Sequence, residues 1–253
     1  MIIRTILTLF LIMVFQHFVN AQFNESIRTG RPGQGVGSYA VGKRVIQMQT
    51  GFDIGGDLKG KDYKYSYLST NIRFGLLEKF EINSAWAYQK EKSSSVSVSG
   101  ISLSSIGARI HLLNPTKKLP SIGLQLSAIT PFRTGDYIAK GIGLKGLLSA
   151  TKKTSNNSNL LFNLLYNKPT NNTEFWNYVI NYAYNISNKW GLFIENYAIF
   201  TADRFDNYWD TGFSYLVNNN LQLDASGGTS LNEAVPNFFI SIGFSGRIVS
   251  LRK

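Results

Sequence analysis

Large apolar side chains alternate with small or polar ones through the segment from residue 209 to residue 248. Every second position from Trp209 to Val217 is apolar or β-branched, and most positions between them carry Asp, Gly or Ser. A two-residue period predicts a β-strand with two unlike faces. Residues 218–220 are three asparagines that predict a turn, and the alternation then returns twice, from Leu221 and from Phe238.

The polarity of these faces indicates which side meets water. The apolar face carries large aromatic residues, and the opposite face carries Asp, Gln, Arg, Ser and Gly. A soluble β-sandwich is the alternative, but its apolar face would be a modest inner surface. Nine earlier segments, the first beginning at Val45, repeat the alternation over about the 9 to 11 residues that a bilayer-crossing strand needs. Strands in lipid must close on themselves to pair their backbone groups. The sequence therefore predicts a transmembrane antiparallel up-and-down β-barrel of about 12 strands.

The residues before the first strand divide into two parts. Arg4 precedes an apolar run from Ile6 to Phe15, and residues 19–21 end in Ala21, which predicts a signal peptide over residues 1–21. A transmembrane anchor is the alternative, although the run is shorter than the roughly 20 residues that a helical span needs. Residues 22–42 are Gly-rich and lack a period, so we expect an irregular segment and a candidate lumen plug that includes Arg31 and Gln34. Inside the lumen these two residues would pair with Glu81 or Asp224. Residues 43–253 form the predicted barrel.

The net charge of +11 does not by itself identify a partner. Most lysines lie between the alternating segments, and no basic stripe follows one strand, so nucleic acid is not an expected partner. Loop lysines are expected to face the phosphates of membrane lipids and lipopolysaccharide. The sequence has no cysteine, which excludes thiol catalysis and thiolate metal sites.

The inward positions of the predicted strands carry both signs of charge. A near balance favours ion pairs and amide contacts over a strong ion-selectivity ring. His111, the one histidine after the predicted signal peptide, points inward, whereas a barrel lipase would need its nucleophile and base on the lipid-facing wall. We therefore predict no catalytic, cofactor or metal site and no enzymatic activity. The candidate lumen-lining residues of a solute pathway are Asp53, Arg73, Glu81, Arg109, His111, Lys145, Glu195, Asp210, Asp224 and Arg247.

Three stretches resemble a known family. They are RTGRPGQGVGSYAVGKRVIQMQTGF near the start, ARIHLLNPTKKLPSIGLQLSAITPFRTGD in the middle and DTGFSYLVNNNLQLDASGGTSLNEAVPNFFISIGFSGRI near the end. They resemble the outer-membrane proteins of the phenol meta-cleavage (MetA) pathway family, also labelled transporters. The resemblance implies an outer-membrane barrel that passes small molecules, with aromatic or hydrophobic solutes as candidates. It carries over no catalytic residue. Ile248 is followed by VSLRK rather than a terminal aromatic, so the signal for the barrel assembly machinery would rest on Phe238, Phe239 and Phe244.

Two functions remain open from the sequence. The first is a porin-like channel or transporter in the outer membrane of a Gram-negative bacterium. The second is a closed structural or adhesive barrel that acts through its extracellular loops. An open or an occupied lumen is the feature that would discriminate between them.

Overall fold

The structure is a computed structural model that describes residues 25–57, 62–170, 174–232 and 236–249. The predicted signal peptide, residues 1–21, and the last four residues lie outside these ranges. No helix in the described ranges is long and apolar enough to cross a membrane. Within the described ranges the regular structure consists of twelve β-strands and one short 3-10 turn, Gly135–Tyr137. The strands are β1 Val45–Gly56, β2 Tyr63–Leu77, β3 Phe80–Ser93, β4 Val96–Leu113, β5 Ser121–Ile129, β6 Gly143–Lys153, β7 Ser158–Lys168, β8 Phe175–Asn185, β9 Trp190–Phe200, β10 Phe205–Asn218, β11 Leu221–Ser230 and β12 Phe238–Val249.

The sheet closes into a barrel. Each strand pairs antiparallel with its neighbours in sequence, and β1 pairs with β12 from Val45↔Val249 to Gly56↔Phe238. Closure gives both edges of the sheet a hydrogen-bonding partner, which is what a strand surrounded by lipid requires. The predicted twelve-stranded up-and-down barrel is confirmed. We call the end where β1 begins and β12 finishes the terminal end, and the opposite end the loop end.

The two faces of the wall have inverted polarity compared with a soluble protein. Large apolar side chains point outward and are exposed, as with Ile242 at 57% and Phe213 at 45%. Glu81, Glu195 and Asn163 point inward and are fully buried. Buried polar groups need partners, so the interior must be a hydrogen-bonded network.

Strands β3 and β4 are longer than the sequence predicted. The Ser-rich stretch KEKSSSVSVSG was expected to be a loop, but it continues both strands and turns at residues 94–95, where Ser94 has φ of 51°. Val96 and Val98 recur at a two-residue spacing, which favours strand over loop. These two strands therefore extend past most of their neighbours at the loop end.

Candidate functional site in the barrel lumen

The chain before β1 lies inside the barrel. Residues 25–44, which we call the N-terminal segment, hydrogen-bond to inward-facing side chains on opposite sides of the wall. The segment has no regular secondary structure of its own. Its backbone groups are instead paired with polar side chains of the strands, as buried backbone requires.

Arg31 attaches the segment to β11 and β12. Its Nε and Nη2 donate to Oδ1 of Asp224 at 3.1 and 2.9 Å, and Nη2 also donates to Ser241 at 2.8 Å. The amide of Gln222 donates to the Arg31 carbonyl at 2.9 Å. Arg31 and Asp224 therefore form a mostly buried, charge-assisted ion pair.

Two glycines make room for this arginine. Gly51 of β1 and Gly243 of β12 are register partners on the inner face. A Cβ atom at either position would overlap the Arg31 guanidinium. Glycine at these positions thus allows the arginine to lie against the backbone of the wall.

Glu195 of β9 binds the backbone of the segment. The N–H groups of Gln34 and Gly35 donate to its two carboxylate oxygens at 2.7 and 2.9 Å, and the Asn181 amide donates at 2.9 Å. Asn163 of β7 makes a reciprocal pair with the next residue, Val36, at 2.7 and 2.9 Å. Consecutive backbone groups of the segment are therefore fixed to adjacent parts of the wall.

The remainder of the segment crosses to β3, β4 and β5. Ser38 lies 2.6 Å from Ser121, Oγ to Oγ, and its carbonyl is 3.1 Å from Nδ1 of His111. The Val41 N–H donates to Glu81 at 2.8 Å. The segment thus contacts strands around most of the barrel before it enters β1.

The Glu81 carboxylate, which binds the segment at Val41, also lies against two arginines of the wall. Glu81 accepts from Nε and Nη2 of Arg73 at 2.7 and 2.8 Å, and Nε of Arg109 lies 3.9 Å away. Arg73 also donates to the Tyr39 carbonyl at 3.0 Å, and Arg109 donates to Gln125 at 3.0 and 2.5 Å. Because Glu81 is fully buried, its charge must be compensated by these contacts.

The structure brings most of the predicted lumen residues together around the segment. Arg247 donates to the carbonyls of Glu25 and Ser26, and Asp53 accepts from Ser241, which also binds Arg31. Asp210 faces Glu195 in the β9–β10 register, and Lys145 faces Ser127 on β5. Those in direct contact with the segment are Arg73, Glu81, Arg109, His111, Glu195, Asp224 and Arg247.

Several contact residues were not among the predicted site residues because they are uncharged. Asn163, Ser121, Gln47, Gln222 and Ser245 all contact the segment. Their inward strand positions were the available signal. His111 lies between the Ser38 carbonyl and Asn114, with its ring stacked on that of Tyr39. No group of three or more His, Cys, Asp or Glu in the described ranges could hold a metal ion.

A mostly aromatic cluster lies inside the loop-end half of the barrel. Tyr197 and Tyr208 stack at 5.0 Å, and they pack with Val179, Phe239 and Tyr65. These five side chains come from β2, β8, β9, β10 and β12. Four of them are aromatic, and we call the group the aromatic cluster. Buried polar side chains such as Asn167, Ser127 and Ser230 also face inward in this half, so the cluster is an apolar patch in a polar interior. The sequence analysis did not predict this patch.

The loop after β5, residues 130–142, packs on the ends of β3 and β4. The Tyr137 and Tyr63 hydroxyls donate to Glu91 at 2.6 and 2.9 Å. The backbone N–H of Ser99 donates to Asp136 at 2.8 Å. Burial and the hydrogen bond to Glu91 raise the pKa of Tyr137, so the hydroxyl stays protonated as a donor.

We expect Tyr137→Phe to loosen this loop. The substitution removes the hydroxyl that donates to Glu91, which would lower local stability by about 1–2 kcal/mol. Hydrogen exchange measured by mass spectrometry should show faster exchange across residues 130–142. Tyr166→Phe is the matched control, because Tyr166 makes an equally short bond to Glu174 on a different loop. Equal exchange in both variants would contradict the assignment.

The architecture and the lumen together define a class of protein. A closed barrel of twelve antiparallel strands with an apolar exterior and a polar interior is a transmembrane β-barrel of the outer-membrane type. The sequence matches the family described as "Putative MetA-pathway of phenol degradation" over residues 29–248. The chain belongs to this family, which confirms the resemblance seen in the sequence.

Solved structures share the fold at low sequence identity. The COG4313 outer membrane channel from Pseudomonas putida F1 aligns with a TM-score of 0.65 and 10% identity, covering 88% of this chain and 100% of that one. The KdgM porin in complex with disordered oligogalacturonate gives 0.50 and 13%, covering 80% and 98%. The translocator domain of the autotransporter NalP from Neisseria meningitidis gives 0.50 and 11%, covering 97% and 96%. No curated protein matches the sequence.

Proposed function

We propose that this protein is a porin-like channel for small solutes in the outer membrane of a Gram-negative bacterium. The observation that carries the proposal is the water-compatible interior of the terminal-end half, where buried charged and amide side chains surround an inserted segment rather than a packed apolar core. Barrels of eight strands are filled by their own side chains, whereas barrels of sixteen or more leave a channel. Twelve strands give an intermediate lumen that an inserted segment can regulate.

In this proposal the N-terminal segment acts as a plug. Arg31, Gln34 and the wall residues that bind them hold it across the terminal-end half of the lumen. Any solute must pass between the plug and the wall, or the plug must move. The aromatic cluster forms a second constriction nearer the loop end, and its apolar surface favours aromatic or hydrophobic solutes over strongly hydrated ones.

Export and assembly complete the proposal. Residues 1–21 act as the signal peptide and are cleaved after Ala21, and the barrel assembly machinery inserts the remaining chain. The termini then lie on the periplasmic side, and the odd-numbered strands lead to extracellular loops. Membrane lipids surround the apolar outer face, and lipopolysaccharide contacts the lysines of those loops. The chain carries no enzymatic activity in this proposal.

Conductance of the native protein tests the channel function. Purified barrel in planar bilayers should show small, discrete conductance steps, because two constrictions narrow the lumen. Liposomes that contain the barrel should swell with small solutes and exclude large sugars. Absence of both conductance and solute uptake would overturn the channel function.

The same result would favour a closed structural or adhesive barrel. The observation that supports this second candidate is that the lumen is occupied at two levels, by the N-terminal segment and by the aromatic cluster.

A further inference from the structure

A cavity lies between the N-terminal segment and the barrel wall at the terminal end. Its volume is about 480 Å³, within the range of small-molecule sites. Its outer margin includes Pro115 of the β4–β5 connection and Lys153 and Asn185 at strand ends, so it reaches the rim of the barrel. This space is the part of the lumen that a solute on that side would enter first.

Among the residues that the structure describes, every charged residue that lines the cavity is basic. Three of them already have acidic neighbours, since Arg31 pairs with Asp224, while Arg73 and Arg109 share the single carboxylate of Glu81. Asp224 and Glu81 therefore compensate three of the five lining cations. The cations are Arg28, Arg31, Arg73, Arg109 and Lys153.

Arg28 and Lys153 carry the excess charge. Within the described ranges neither forms an ion pair. The Arg28 guanidinium carbon lies over the Tyr39 ring, 4.2 Å from its centroid, which is a cation–π contact. The Arg28 side chain is exposed at the cavity surface, and its guanidinium stays protonated. A guanidinium that lines a cavity and has no acidic partner is a suitable donor to a bound anion.

Two further carboxylates, Asp53 and Glu195, do not line the cavity, and Asp53 accepts from Ser241 beside Arg31. Glu195 is fully buried, and its oxygens are occupied by Gln34, Gly35 and Asn181. It does not line the cavity. Gly35, whose N–H donates to Glu195, lines the cavity in its place.

Part of the cavity lining is apolar. Ile27 and Phe193 are buried, and Leu161 projects from the inner face of β7. The amides of Asn159, Asn181 and Gln222 add hydrogen-bonding groups. Such a surface complements a ligand with a charged end and a compact hydrocarbon body.

We propose that this cavity binds small organic carboxylates with an apolar body, with the carboxylate at Arg28 and the body against Ile27, Leu161 and Phe193. The inference rests on the proposed channel function, since it names the class of solute that the channel would take. Arg28 would bind the carboxylate through two N–H groups, as guanidinium groups commonly do. Lys153 at the rim would attract the anion into the cavity.

Binding to the purified, full-length barrel in detergent tests this assignment without requiring passage of solute. Isothermal titration calorimetry would compare benzoate with benzyl alcohol, which has the ring but no charge, and with acetate, which has the charge but no ring. Benzoate should bind at least about tenfold more tightly than either, because a charge-assisted contact and an apolar contact are both needed. Equal affinity for benzoate and benzyl alcohol, or no benzoate binding, would overturn the proposal.

Matched variants locate the site. Arg28→Gln should weaken benzoate binding by about tenfold, and Lys153→Gln should weaken it less, because Lys153 lies at the rim and does not bind the carboxylate directly. Lys140→Gln removes an exposed cation at the loop end and should leave the affinity unchanged. Electrophoretic mobility of unheated samples verifies that each barrel is folded. If the Arg28→Gln variant does not fold, the Lys153→Gln variant still tests the site. Identical affinities in the Arg28, Lys153 and Lys140 variants would contradict the site.

Failure of this site and failure of the channel function give different results. Benzoate binding without conductance would leave the site in place and overturn the channel. Conductance without benzoate binding would keep the channel and overturn the site.

Discussion

Deletion of residues 22–42 should raise the single-channel conductance severalfold while the barrel remains folded. The N-terminal segment contributes no strand to the sheet, so β1 to β12 can still close without it. Its removal leaves Asp224, Glu195 and Glu81 facing water in place of the segment, and charged side chains tolerate hydration well. Conductance in planar bilayers is the measurement, and an unchanged value would show that the segment does not limit passage.

A disulfide provides the converse experiment. Ser38 on the segment and Ser121 on β5 have hydroxyl oxygens 2.6 Å apart, and the chain has no native cysteine to interfere. The double variant Ser38→Cys/Ser121→Cys should show its lowest conductance when oxidised, and reductant should restore the native value if the segment moves during opening. Identical conductance before and after reduction would mean that the segment stays in place while solutes pass beside it.

A wall-to-wall disulfide is the control. Ser104 and Thr130 also lie 2.7 Å apart by their hydroxyl oxygens, but both belong to the barrel wall and its adjoining loop. The pair Ser104→Cys/Thr130→Cys should therefore respond little to reductant. A large response there would assign gating to the loop end rather than to the segment.

The barrel could be predicted because the pattern that specifies it, the alternation of apolar and polar residues, is visible within each strand's own sequence. Alternation at two-residue spacing fixes which side chains face lipid, and closure follows from the pairing needs of backbone in a membrane. The outward Ile242 and the inward Asp224 both follow from this rule. Strand ends beyond the membrane are under no such constraint, which is why the Ser-rich extensions of β3 and β4 were expected to be a loop.

The course of the N-terminal segment was only partly predictable. An arginine inside a lumen needs an acidic partner. Asp224, which binds Arg31, was one of the two expected carboxylates, and Glu81 was the other. Gln34 was expected to pair with Glu81 or Asp224, but its backbone N–H binds Glu195 instead. A Gly-rich segment has no period from which its path could be read, so backbone contacts of this kind arise only from the three-dimensional fit. The aromatic cluster was not predicted for a related reason, since its contacts join β8, β9 and β10 to β2 and β12.

A lysine on the outer face should reveal the membrane directly. Ile242 lies near the middle of β12, is 57% exposed, and has Phe52 and Ala225 as register partners. If lipid surrounds this face, Ile242→Lys should destabilise the barrel by about 2–4 kcal/mol, the cost of a lysine near the bilayer midplane. Equilibrium unfolding by denaturant in lipid vesicles measures this change.

Val96→Lys separates membrane depth from exposure alone. Val96 is also an exposed apolar side chain, at 62%, but it begins β4 at the tip of the extension and pairs with Ser93. A lysine there reaches water, so the free energy of unfolding should change little. Similar costs for both substitutions would argue that the apolar face is not in hydrocarbon. A large cost for Ile242→Lys alone would locate the bilayer around the body of the barrel, because an exposed surface in water penalises neither lysine.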